Sequence, residues 1–188
     1  MKDKKDQIIA AALRIFLKKG YLQATTQEIA KEAEVAEMTL FRKFSTKQNL
    51  FLSVFLPIIA HQFDSKLMQF AKEENTSDFF RKILQDRLET LSRNDQVIRL
   101  LIAESVMNHL DERINIPETI MNSLKQAIEV HFSKKQKTVD VDRCARLIGG
   151  ILLSHVILPE KVPYYKLPKS KKNELLEQYV QTLCQFIS

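Results

Sequence analysis

The chain has 188 residues, 45% of them hydrophobic, and a formal net charge of +6 with a pI of about 9.3. That apolar share excludes a disordered chain, and only 3 Gly and 5 Pro favour helices over a turn-rich β fold. The positive balance suits a nucleic acid or an anionic membrane surface, but no apolar run reaches the ~18 residues that span a bilayer.

The two cysteines, Cys144 and Cys184, lie far apart in apolar helical patterns. They read as reduced thiols of a cytoplasmic protein rather than as a disulfide frame. Taken in order, residues 6–19 follow helical spacing through Ile8, Ile9, Ala12, Leu13, Phe16 and Leu17. Lys18-Lys19 suit the last turn, and Gly20 is a natural stop. Tyr21-Leu22 are expected to close the base of this first region.

Thr25 and Glu28 form a capping box that opens a short helix with Ile29, Ala30 and Ala33 on its apolar face. Glu34-Val35-Ala36 is a three-residue break with Val35 as a buried plug. A second short helix, about Glu37 to Lys43, turns Leu40 and Phe44 inward and leaves Thr39, Arg42 and Lys43 outside. Two short helices joined by a tight turn match a helix-turn-helix. Ser45 and Gln48 form a second capping box and start a long helix through Phe70, with Pro57 expected to kink it or end its first part.

Later apolar stripes mark further helices at Phe79–Leu91, at Val97–Met107 and from Pro117 to Phe132. Residues Ala145–Leu158 are apolar nearly all round, which requires cover on most sides. After a connector from Pro159 to Pro168, Leu175, Leu176, Tyr179, Val180, Leu183 and Ile187 form a last stripe. These two final helices either complete the core of one chain or build a four-helix interface between two copies.

The run Thr25-Thr26, Ile29-Ala30, Ala33, Val35, Thr39-Leu40-Phe41, Phe44, Lys47, Leu50-Phe51 resembles the tetracycline-repressor (TetR) family of bacterial regulators. The likeness covers roughly the first quarter of the chain. It implies an all-α protein: a three-helix helix-turn-helix head over residues 1–62 and a helical ligand-binding and dimerisation body over 63–188. The DNA-binding residues implied are Thr25, Thr26, Glu37, Met38, Thr39, Phe41, Arg42, Lys43 and Lys47. Phe41 and Lys43 stand where the family usually has a tyrosine and a His or Tyr. Lys47 opposes the dipole at a helix start, which calls for an external anion such as a phosphate. Glu37 can accept from a cytosine amino group and Met38 can touch a thymine methyl, although a carboxylate turned outward would repel phosphates. Glu34 replaces a glycine and Ala36 a serine cap, costing about 1 kcal/mol and ~0.5–2 kcal/mol.

The resemblance further implies dimerisation through Ile148, Gly149, Ile151, Leu152, Tyr179, Val180 and Leu183. The implied partners are a palindromic double-stranded operator, a second copy and a small-molecule effector, with no membrane, metal or cofactor. Polar candidates for orienting the effector are His61, Gln62, Arg99, Glu104, Asn108 and His109. An enzyme is not expected: the chain has no Gly-rich phosphate loop, and its four histidines lack metal-ligand spacing. The competing reading is a helical adaptor that binds protein and has lost its operator, a possibility raised by Glu34, Ala36 and Glu37.

Overall fold

The computed structural model describes residues 3–110, 115–133, 135, 138–158 and 161–187, without the side chains of 56, 58–64 and 116. The described residues form nine α-helices and one 3-10 turn, with no strand. The chain divides into two compact units. One comprises residues 1–62 and 100–116; the other comprises 63–99 and 117–188. Segment 100–116, expected in the body, therefore groups with the head.

The first unit begins with α1 (Lys4–Gln23), capped by the Asp3 carboxylate, which accepts from the Lys5 amide at 3.0 Å. Ile8, Ala11, Ala12 and Phe16 form its buried stripe. Gly20 breaks the helix at φ 76°, ψ 175°, so residues 21–23 form a separate turn. Next come α2 (Thr26–Glu32), α3 (Glu37–Phe44) and the start of α4 (Lys47–Phe70). Their core is aromatic: Phe16 meets Phe51 at 5.0 Å, and Phe51 meets Phe55 at 4.5 Å. Tyr21 joins it, 5.1 Å from Phe51, whereas Leu22 is exposed.

Helix α4 differs from expectation at its start. Its cap is Thr46 rather than Ser45: the Thr46 hydroxyl accepts from the Asn49 amide at 3.0 Å. Ser45 itself ends α3 at φ 64°, which shifts the cap by one residue. The helix continues through Pro57 to Phe70, as the apolar repeat across this segment implies.

The second unit contains α5 (Thr76–Arg93), the first residues of α6 (Asp95–Val106), α7 (Ile116–Phe132), α8 (Val141–Ile157), the 3-10 turn Tyr164–Lys166 and α9 (Lys169–Phe186). Helix α5 packs on α8, on α9 and on the 3-10 turn. Phe79, Phe80, Ile83 and Leu84 of α5, Leu124 and Ile128 of α7, and Cys144 and Ile148 of α8 share one core. Burial pushes the Cys144 thiol up to about 11, with the Asp140 charge adding to it, so the thiol stays protonated. No helix among the described residues is long and apolar enough to cross a membrane.

His131 is buried in this core and stacks on Phe79 at 4.1 Å. Its ring nitrogens lie 3.3 Å from the Ala71 carbonyl and 3.1 Å from the Thr76 hydroxyl. Burial lowers its pKa below the usual 6.5, although the Ala71 carbonyl favours the charged form. Between its folded and unfolded pKa values the unfolded chain binds the extra proton, so stability rises with pH there. We expect stability to be full above about pH 6.5 and to decline on acidification below it. Urea melts at a series of pH values should show a flatter decline in His131→Gln.

Candidate nucleic-acid interface

The outward surface of the first unit is built on two short helices whose ends are set locally. At the start of α2, Thr25 Oγ1 accepts from the Glu28 amide at 3.2 Å, and Glu28 Oε2 accepts from the Thr25 amide at 3.3 Å. This is the expected capping box. Lys19 also donates to Glu28, and that hydrogen bond is the main reason its carboxyl is held below the usual range.

Helix α2 ends in a Schellman motif: the Val35 amide donates to Ala30 O at 3.0 Å and the Glu34 amide to Lys31 O at 3.1 Å. The motif puts Glu34 at φ 55°, a left-handed conformation that costs a non-glycine residue about 1 kcal/mol. Val35, expected to be a buried plug, is half-buried. Helix α3 then starts from Ala36, whose side chain supplies no cap. Its place is held by Leu40 and Phe44, both buried.

With Leu40 and Phe44 inside, the opposite face of α3 is presented outward. Met38 is 84% exposed, and Phe41 and Arg42 are also exposed. Thr39 is half-buried. Lys43 Nζ lies 3.5 Å from Asp3 Oδ1 in a loose surface pair. Glu37 turns toward α2, where its Oε1 accepts from the Thr26 hydroxyl at 2.6 Å. Thr26, Glu37, Met38, Thr39, Phe41, Arg42 and Lys43 thus belong to one pair of adjoining short helices, with Thr25 as its cap.

Lys47 has a different setting. Its ammonium donates to the carbonyls of Tyr21 at 2.8 Å, Leu22 at 3.3 Å and Ala24 at 3.0 Å, and lies 4.5 Å from the Tyr21 ring centroid. All three ammonium protons are thereby used. Three backbone dipoles thus offset the unfavourable placement of this cation at a helix start. Burial lowers its pKa, and the charge of Glu104 opposes that shift.

Glu104, on α6, is buried. Its Oε1 accepts from the Tyr21 amide at 2.8 Å, and its Oε2 lies 2.7 Å from His109 Nδ1. Asn108, at φ 54°, closes α6 in a second Schellman motif, with amide bonds from Asn108 to Ser105 O and from His109 to Glu104 O. Two effector candidates, Glu104 and His109, thus hold the end of α6 to the turn after α1, a role that helical spacing does not reveal. Arg99 pairs with Asp95 on its own helix at 2.8 Å. The side chains of His61 and Gln62 lie outside the described residues. No group of three or more metal-ligating side chains occurs among the described residues.

The residues expected at a dimer interface separate into two sets. Ile148, Leu152, Val180 and Leu183 are buried within the core of one chain. Gly149, Ile151 and Tyr179 are half-buried, and a Cβ at Gly149 would come within 3.3 Å of the Met121 sulfur. The exposed apolar face of α8 is one step round the helix, at Leu147, Gly150, Leu153 and Ile157. Nothing lies within 4 Å of a Cβ built at Gly150.

Comparison with known proteins gives a consistent picture. Residues 8–54 match the model of the bacterial regulatory proteins of the tetR family. The chain is 31% identical over 120 residues to YvkB, an uncharacterized HTH-type transcriptional regulator of Bacillus subtilis, covering 60% of each chain. Its likeness to the Staphylococcus aureus regulator QacR is 44% identity over 50 residues, 27% of each chain. The fold resembles that of the TetR-family regulator PfmR from Thermus thermophilus, with TM-score 0.70 and 13% identity over 96% of this chain and 98% of that one. The chain spans about 60% of the length of YvkB and of a second Bacillus subtilis regulator, YuxN.

Two positive-φ positions should respond in opposite directions. Gly20 sits at φ 76°, ψ 175°, a region open to glycine alone, where other residues cost of order 1–3 kcal/mol. A Cβ there would also meet Glu104 Oε1 at 3.1 Å. In urea denaturation Gly20→Ala should lose stability on that scale, whereas Glu34→Gly should gain up to about 1 kcal/mol by relieving its left-handed strain.

Proposed function

We propose that the chain is a regulator of the TetR type, the family whose model matches residues 8–54, and that it is a homodimeric transcriptional repressor rather than an enzyme. It acts in the cytoplasm, binds a palindromic double-stranded operator and leaves it when a small molecule occupies the body. The observation that carries this reading is α3. It is short, anchored from behind by Leu40 and Phe44, and outward-facing through Met38, Phe41 and Arg42. A second helix of this kind enters the major groove and reads base edges from its N-terminal residues.

Roles within the interface follow from side-chain chemistry. Arg42 and Lys43 supply the positive charge that meets phosphates and makes binding salt-dependent. Phe41 lacks a hydroxyl and packs against sugar, and Thr39 offers a hydroxyl to phosphate or base. Thr25 and Thr26 lie at the backbone-facing start of α2. Lys47 acts indirectly, by holding the Tyr21–Ala24 turn.

Dimerisation is assigned to the exposed α8 face, Leu147, Gly150, Leu153 and Ile157, by two-fold symmetry. A small residue at Gly150 lets two helices approach closely. Two recognition helices must then meet successive major grooves about 34–36 Å apart. An effector that prefers another spacing weakens operator binding by linkage. An effector that engages Glu104 or His109 must compete with the hydrogen bonds that hold α6 to the Tyr21 turn.

Gel-shift titration with the DNA upstream of the protein's own gene tests the reading. Specific, salt-sensitive retardation is expected, and its absence across genomic fragments would overturn it. Lys43→Glu should weaken binding at low salt and make the dependence on salt shallower, by a slope change of about one phosphate contact. Ile157→Glu should sediment as a monomer at concentrations where the unaltered chain is a dimer, and it should lose operator affinity while keeping its helical circular dichroism.

A further inference from the structure

The two threonines at the start of α2 have separate duties. Thr25 caps the helix, its Oγ1 3.2 Å from the Glu28 amide. Thr26 is therefore not needed as a cap, and its hydroxyl donates instead to Glu37 at 2.6 Å. Glu37 is the first residue of α3, follows an alanine that offers no side-chain cap, and is half-buried. A glutamate at a surface helix start ordinarily samples several rotamers and loses entropy when held. Here a short hydroxyl–carboxylate bond, of the strong charge-assisted kind, selects one of them before any DNA arrives. One oxygen is tied to Thr26. The other has no hydrogen-bond partner among the described residues.

The position matters because the N-terminal residues of a groove-entering helix are those that reach base edges. Next to Glu37, Met38 is 84% exposed, and one turn on, Phe41 is exposed. Both are apolar, so they offer no polar group to compete with the carboxylate. An ionised carboxylate only accepts hydrogen bonds. In the major groove guanine shows N7 and O6, both acceptors, and thymine shows O4, also an acceptor, so these bases are disfavoured. Adenine has a donor at N6 but an acceptor beside it at N7, while cytosine shows the N4 amino group as its polar feature. A carboxylate held at one place therefore selects cytosine over adenine and excludes the other two.

Resting on the repressor reading above, we propose that Glu37 is a specificity-determining residue that selects a cytosine at one symmetry-related pair of operator positions, with Thr26 as the positioning residue that aims it. The carboxylate is a net electrostatic burden near phosphate. Arg42 and Lys43, in the last turn of the same helix, supply the compensating charge. Glu37 contributes selectivity rather than affinity.

The test is selection of bound duplexes from a randomised DNA pool by the full chain, by Glu37→Gln and by Thr26→Val, followed by sequencing. Thermal melts run alongside establish that each variant is folded. The unaltered chain should recover a palindrome with cytosine at one pair of positions. Glu37→Gln should change that pair alone toward adenine, whose N6 and N7 suit an amide, by roughly tenfold in preference. Thr26→Val should keep cytosine but with a smaller preference. If Glu37→Gln recovers the same base at every position and only binds all sequences more tightly, the carboxylate is no more than a charge and the proposal fails. If Thr26→Val leaves the cytosine preference undiminished, the positioning role fails. If the unaltered chain enriches no palindrome, the operator-binding reading itself falls, which is a different result from the other two.

Discussion

The head is organised around one short turn, Gly20–Ala24, that is held from two sides by opposite charges. Glu104 takes the Tyr21 amide, and Lys47 takes the carbonyls of Tyr21, Leu22 and Ala24. Each charge is satisfied by backbone dipoles rather than by the other. A buried carboxylate without such a donor would cost several kcal/mol, so the contact is strongly directional. Gly20 makes it possible: its φ of 76° turns the Tyr21 amide toward Glu104 and leaves no Cβ in the way. The Tyr21 ring then lies against Phe16 and Phe51, so the end of α1, the start of α4 and the end of α6 share one fixed point. Both α4 and α6 continue into the second unit.

The recognition surface is locally strained and globally supported. Glu34 and Ser45 occupy positive φ at the two ends of the α3 segment, and Ala36 leaves its start uncapped. An isolated eight-residue helix of this kind would be unstable. Burial of Leu40 and Phe44 offsets the strain, because each side chain gains about 1.5–3 kcal/mol when removed from water. The division of labour that results is simple: the inward face supplies stability, and the outward face is left to chemistry. Glu37 extends the same logic, since its orientation is set by Thr26 on the neighbouring helix rather than by its own.

Helix α8 has to satisfy two neighbours. Its core face, Cys144, Ala145, Ile148, Leu152 and Val156, is committed to the second unit, while Leu147, Leu153 and Ile157 remain outside. Gly150 lies on the same exposed side with open space before it.

The helical spacing, the Thr25–Glu28 box, the breaks at Glu34 and Pro168, and the likeness of residues 25–51 to a known head were all legible from residue order. These features arise between neighbours a few positions apart, and local hydrogen bonding and helix periodicity decide them. Three matters were not legible. The place of Lys47 in the helix dipole does not reveal that its ammonium holds carbonyls 23 to 26 positions earlier. Helical spacing does not reveal that Glu104 accepts from an amide 83 positions away. Nor does spacing reveal that Leu147, Leu153 and Ile157 form the exposed apolar face of α8. Periodicity establishes that a nearly all-apolar helix is buried, but it cannot rank its faces when every face is apolar. Amino-acid order thus determined where the helices are and what chemistry each presents. Tertiary packing alone decided which polar group meets which, because a charged side chain goes to the nearest dipole that can satisfy it in space, and that distance is not encoded along the chain.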